Sequence, residues 1–208
     1  MNAPTNGKMR LIEAALRLAA RKRSFSAIGL RELAREAGLN PNTFYRHFAD
    51  LDGLALFILE YIADSLRQRV RSVRLTAHNH EQAIRETVGL AFDYAAANPE
   101  AMTVAVREIH GASPVLRSAL RRLLNRVAQD MYEDVMSRGL APGLREESIA
   151  EISRVVIWHM FFRALDYLEY PEQRAAIVAE TERFIWRQFA AGVMEANGKS
   201  PFGLPPAR

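Results

Sequence analysis

The sequence predicts an all-α fold: a small N-terminal three-helix domain with a helix-turn-helix (residues 1–50), a larger helical body (51–196) and a loose tail (197–208). Three observations predict it. Apolar residues recur at spacings of three and four rather than two, prolines stand at the starts of the periodic segments, and no hairpin signal separates them.

The first helix is expected from about Lys8 to Arg23, with Leu11, Ile12, Ala15, Leu18 and Ala19 on one face and basic residues opposite. Phe25 and Ile28 then pack the following turn. Leu30 to Ala37 reads as a short second helix with Leu30, Leu33, Ala34 and Ala37 facing inward. Gly38 ends it in the left-handed cap position that glycine occupies cheaply. Asn40 can cap the free N–H groups of a third helix, and Pro41 at its first position gives up a donor that had no partner. That helix is expected to end near Phe48. A helix, a glycine-containing turn and a second short helix form the arrangement in which the second helix enters the DNA major groove. Beyond it, helices are expected over Leu51–Thr76, Glu81–Ala97, Pro99 to about His110, Pro114–Arg138, Glu146–Leu168 and Pro171 to about Ala196.

Of the 208 residues, 49% are hydrophobic and 25% charged, which excludes fibrous and disordered classes. The absence of cysteine excludes disulfide scaffolds, thiolate zinc sites and cysteine nucleophiles, and makes a reducing cytoplasm the default. The polar stretch Met1 to Met9 and an amphipathic first segment broken by Glu13 and Arg17 do not have the form of a signal peptide. The most apolar run, Val155 to Phe162, falls well short of the roughly 20 residues of a spanning helix, so membrane insertion is not expected. Net charge is +4, and its distribution says more than its total. Residues 1–50 hold nine Lys and Arg against four acids, a net +5, whereas the remainder holds 19 against 20. A basic head on a near-neutral body points to a polyanion at the head, most simply nucleic acid.

On the third helix, Phe44 and Phe48 are four apart and share the inward face, leaving Asn42, Thr43, Tyr45, Arg46 and His47 to point elsewhere. Asn42 and Thr43 can reach base edges or phosphate, Arg46 can pair with phosphate or guanine, and the Tyr45 phenol can reach a backbone oxygen. Arg31 and Asn40 complete the candidate DNA-binding set.

Residues 9–60 resemble the N-terminal DNA-binding domain of the TetR family of bacterial transcriptional repressors. The resemblance is carried above all by Leu30-Arg31-Glu32-Leu33-Ala34-Arg35-Glu36-Ala37-Gly38 and Thr43-Phe44-Tyr45-Arg46-His47-Phe48. It implies a homodimer on a pseudo-palindromic double-stranded operator, a fourth connecting helix, and a C-terminal helical ligand-binding and dimerisation domain that pairs through its last two helices. The family often has a phosphate-contacting lysine at the start of the fourth helix; this sequence has Ala49-Asp50-Leu51-Asp52 there. Phe44 to Phe48, the break at Asn98-Pro99-Glu100, and Arg107-Glu108-Ile109-His110-Gly111-Ala112-Ser113 further resemble the FabR and DesT type regulators of unsaturated fatty-acid synthesis. That resemblance implies a sensor of long-chain acyl-CoA or acyl-carrier-protein thioesters that adjusts desaturase or unsaturated-lipid genes.

An acyl pocket needs apolar walls of adaptable shape, for which Leu56, Tyr61, Phe92, Met102, Val106, Ile109, Leu123, Val127, Met131 and Phe161 are candidates, most of which read better as ordinary core. Arg107, Arg117, Arg121 and Arg122 could meet CoA phosphates. Apolar residues surround more than one face of Glu146–Leu168, and a second stripe runs along the last helix, which suits a four-helix dimer interface including Ile152, Val156, His159, Phe184 and Gln188. No catalytic residue, metal site or cofactor is expected: there is no phosphate-cradling glycine loop, no Gly-x-Ser-x-Gly and no His-Glu-x-x-His, and His78 and His80 are two apart. Glu133 and Asp134 read as solvated. The alternatives are a xenobiotic-responsive repressor of the same fold and a helical acyl-binding carrier whose basic head touches membrane phosphates.

Overall fold

The structure is a computed structural model that describes residues 6–198. All regular structure among these residues is helical: α1 (Asn6–Lys22), α2 (Leu30–Glu36), α3 (Pro41–Tyr45), α4 (Leu51–Thr76), α5 (His80–Ala97), α6 (Pro99–Glu108), α7 (Pro114–Arg138), α8 (Glu146–Glu169) and α9 (Arg174–Ala196). The all-α expectation holds, and α4 and α7 have the bounds read from the sequence. Most other ends shift by one or two residues, and two differ for local reasons. The third helix stops at Tyr45 because the chain tightens there, with His47 N–H donating to the Phe44 carbonyl three residues back. Pro171 opens a single 3₁₀ turn, Pro171–Gln173, before α9 begins. The expected tail falls almost wholly on residues 199–208, outside those described.

The chain divides into two compact units. One comprises the described residues up to Ser65 with Ala97–Leu123; the other comprises Leu66–Ala96 with the described residues from Leu124 onward. Helices α4 and α7 contribute to both.

In the first unit α1 packs on α6 and α2, and α2 on α3. The face read from the sequence is the buried one: Leu11, Ile12, Ala15, Leu18 and Ala19 are buried with Phe25, Ile28, Leu33 and Phe44. Burial of each large side chain contributes about 1.5–3 kcal/mol. Leu30, expected inward, is only half-buried. A carboxylate sits in this core. Glu108, 1% exposed at the end of α6, accepts from Ser24 Oγ and from the Phe25 backbone N–H, both at 2.7 Å.

In the second unit α8 pairs with α9. Arg67 Nε and Nη2 grip Asp130 at 2.6 and 3.0 Å, and Arg74 Nε and Nη2 lie 2.9 and 2.7 Å from Asp134 Oδ2. Asp134 is 1% exposed, which corrects the expectation that it is solvated; its neighbour Glu133 is exposed. No helix among the described residues is long and apolar enough to cross a membrane.

Candidate functional site

The turn between α2 and α3 is fixed by three local devices. Gly38 takes φ +61°, where an L side chain would be strained, and its carbonyl accepts from Arg10 Nη2 at 3.0 Å. Asn40 is the N-cap of α3, its side-chain oxygen accepting from Asn42 N–H at 2.9 Å, and Pro41 follows at the first position. Beneath the helix, Phe44 packs against Phe48 (ring centroids 5.9 Å apart) and Phe48 against Phe57 (5.7 Å), with Lys8 Nζ 3.4 Å above the Phe57 ring.

That anchoring decides what α3 presents. Tyr45 is 63% exposed although it lies beside fully buried Phe44. Arg31, Asn40, Asn42 and Arg46 are exposed, and Thr43 and His47 are half-buried. The seven candidates therefore lie on the helix-turn-helix and its flanks, with polar groups available to base edges and phosphates.

The basic head is less free than its charge suggests. Glu36 bonds Arg21 at 2.8 Å and Arg17 at 3.1 Å, and Glu32 pairs with Lys22 at 2.6 Å. These hydrogen bonds hold both carboxyls below the usual carboxylate range. Arg31, Arg35 and Arg46 of the helix-turn-helix are exposed and stand in none of these ion pairs, which leaves them available to phosphate. At the start of α4, Asp50 Oδ1 accepts from Gly53 N–H at 2.7 Å and caps the helix.

The second unit contains a cavity of about 340 Å³ walled by α5, α7, α8, α9 and the end of α4. Its lining is almost entirely apolar, including Ala83, Val135, Ile157, Met160 and Phe189, with Trp186 and His80 also on it. Of the ten pocket candidates, Met131 lines this cavity. Phe92 is buried and stacks on Tyr167 at 4.9 Å, Phe161 is buried, and Val127 is half-buried; none of the three is on the cavity wall. Leu56, Tyr61, Met102, Val106, Ile109 and Leu123 belong to the first unit, where Val106, Ile109 and Leu123 are core. Arg117 Nη1 donates to the Gly111 and Ala112 carbonyls and so closes the loop before α7; Arg121 and Arg122 are exposed.

Among the interface candidates, Ile152 and Val156 are buried within the unit, and Val156 lines the cavity. His159 stacks on Phe184 with centroids 3.9 Å apart, and both, like Gln188, are half-buried. The large apolar side chains that α8 and α9 leave exposed are Val155, Phe162, Trp186 and Met194. His78 and His80 are exposed, and no cluster of metal-ligating side chains occurs among the described residues.

Sequence reasoning gave Arg74 and Glu108 no role and read Asp134 as solvated. A signal existed for the pair: Arg67, Arg71 and Arg74 are spaced three and four apart on one helix, as Asp130 and Asp134 are on another. No comparable pattern marks Glu108.

Residues 11–56 match the family described as bacterial regulatory proteins, tetR family. Solved structures similar to the chain include the fatty acid degradation regulator FadR from Bacillus halodurans, at 15% identity over 88% of this chain and 96% of that one, with a TM-score of 0.75. The transcriptional regulator FadR from Bacillus subtilis, solved in complex with stearoyl-CoA, aligns at 14% identity over 88% and 97%, TM-score 0.69. The reduced form of NemR from E. coli aligns at 15% identity over 86% and 95%, TM-score 0.64. At such identities the likeness is one of fold. The family match covers α2, the capped turn and α3, the elements that carry the exposed polar face, so the similarity to tetR-family proteins lies in this helix-turn-helix segment.

Proposed function

We propose that the protein is a cytoplasmic, ligand-responsive repressor that binds a pseudo-palindromic operator as a homodimer. Its effector is a long-chain acyl-CoA or related acyl thioester, and its targets are genes of unsaturated fatty-acid synthesis or desaturation. The observation that carries the effector class is the cavity of the second unit, with apolar walls of adaptable Met131 and Met160 and no carboxylate on its lining. A lining without acids also disfavours the aromatic cations of the xenobiotic alternative. The FadR structures supply a precedent, since one of them holds stearoyl-CoA in the same fold. The exposed apolar residues of α8 and α9 suit pairing with a second copy, which would set two α3 helices against two half-sites. An effector that binds one spacing of the two heads better than the other then shifts the population toward or away from the DNA-competent state.

The test is fluorescence anisotropy on the duplex upstream of the protein's own coding region, with saturated and unsaturated long-chain acyl-CoA added in turn. Tight binding that the two thioesters alter to different degrees supports the proposal. Binding that neither alters removes the effector assignment and leaves the DNA role, and failure on a fair set of duplexes favours the carrier.

A further inference from the structure

The cavity of the second unit has one charged side chain buried on its wall. Arg74, 4% exposed, commits Nε and Nη2 to Asp134 Oδ2, and its Nη1 is buried with no hydrogen-bond partner. Thr87 Oγ1, on the α5 wall of the same cavity, is also buried without a partner. Two orphaned donors on one cavity are unusual, because leaving a buried donor unsatisfied carries its full desolvation penalty. Asp134 does not absorb the charge either. Arg71 Nε stands 3.5 Å from Asp134 Oδ1, so two guanidinium groups share one carboxylate and the cluster carries an excess of +1. The lining offers no Asp or Glu to offset it, and His80 is its only other titratable side chain. Two lining residues with free donors, beside one surplus positive charge and apolar walls, have the chemistry of a receptor for a monoanion attached to a hydrocarbon body.

We propose that this cavity takes an amphiphile with a free carboxylate, of the fatty-acid class, whose head group accepts from Arg74 Nη1 and Thr87 Oγ1 while its chain lies against Met131, Met160 and Phe189. The proposal rests on the reading of this cavity as the effector site and adds a second ligand to it. The carboxylate matches the surplus charge, which the uncharged carbonyl of a thioester does not.

The test uses the full-length protein and calorimetric titration with dodecanoate, 1-dodecanol and dodecanoyl-CoA, checked by the fluorescence of Trp186 on the cavity wall. The variants are Thr87→Val, which removes the hydroxyl at nearly constant shape, and Arg74→Lys, which keeps a cation on Asp134 but lacks the free Nη1. Dodecanoate is expected to bind one per chain and to weaken roughly tenfold or more in either variant, the loss of one charge-assisted bond. Dodecanol is expected to bind at least tenfold more weakly than dodecanoate and to ignore Arg74→Lys. If dodecanol matches dodecanoate, or if neither variant weakens dodecanoate, the head-group assignment is overturned; Thr87→Val decides the matter should Arg74→Lys not fold. Anisotropy on operator DNA separates this from the effector reading. A DNA response to dodecanoyl-CoA without dodecanoate binding overturns only the carboxylate proposal. Dodecanoate binding with the expected variant pattern, and no thioester response, supports it and overturns the thioester effector.

Discussion

Replacing Glu108 by alanine takes away both hydrogen bonds that join the end of α6 to the turn after α1. Each is a 2.7 Å bond to a buried carboxylate oxygen, of the kind that contributes about 1.5–3 kcal/mol net. The gross loss of about 3–6 kcal/mol is offset in part, because Glu108 Oε2 is itself buried without a partner and its desolvation cost disappears with the side chain. The expected net destabilisation is about 2–4 kcal/mol. Glu108→Gln retains an acceptor oxygen for Ser24 and Phe25 and exchanges charged bonds for neutral ones, at about 1 kcal/mol. Ser24→Ala removes the bond to Glu108 and the cap bond that Ser24 Oγ accepts from Ser26 N–H, but leaves the Phe25 N–H satisfied, so it is expected at about 1–2 kcal/mol. The assay is urea unfolding at fixed protein concentration, since any self-association would otherwise shift the midpoint. A Glu108→Ala variant within about 0.5 kcal/mol of the parent, the range of ordinary surface substitutions, would refute this assignment of the two bonds.

Three further outcomes are expected. Asp134→Ala leaves the Arg74 guanidinium buried and unpaired, at about 3–5 kcal/mol, whereas the double change Arg74→Met with Asp134→Leu is much less damaging; equal losses in chemical denaturation would contradict the ion pair as drawn. Burial, and then the Arg163 charge, hold the His159 imidazole below its usual value of 6.5, so the unfolded chain takes the proton first. This contribution is complete above about pH 6.5 and is lost as pH falls through the depressed native value. Thermal unfolding at pH 7.5 and 5.5 should therefore lose more in the parent than in His159→Phe, and parallel losses would remove His159 as the cause. Affinity for operator DNA is expected to fall steeply with salt and to weaken in Tyr45→Phe at fixed salt; a flat salt dependence, or an unchanged variant, would remove the phosphate or the Tyr45 contact respectively.

The helices were legible because their signals are local. Pro114 and the cap-forming Asn40-Pro41 mark helix starts through one residue's own geometry, and the Phe44–Phe48 spacing assigns a face without knowledge of any other element. The outward face of α3 was legible for the same reason: once Phe44 is inward, Tyr45 must be outward, as its exposure shows. The cavity was not, because its walls come from five helices far apart in sequence, and large apolar residues such as Phe92 and Ile109 look identical whether they fill a core or line a hollow. Asp134 was misread for a related reason. A carboxylate beside Glu133 on a charged helix reads as solvated until the arginine ladder of Arg67, Arg71 and Arg74 is set against it. The charge of the head needed the structure too, since Glu32 and Glu36 neutralise cations that a residue count leaves available.

Hydroxyl-radical footprinting of the region upstream of the coding sequence tests most directly whether α3 and its exposed Tyr45 and Arg46 form one half of a two-fold DNA reader. Two symmetric protected patches, separated by about one helical turn or a multiple of it and lost in Arg46→Ala, are predicted. A single unpaired patch, or protection that survives the loss of Arg46 unchanged, would contradict it.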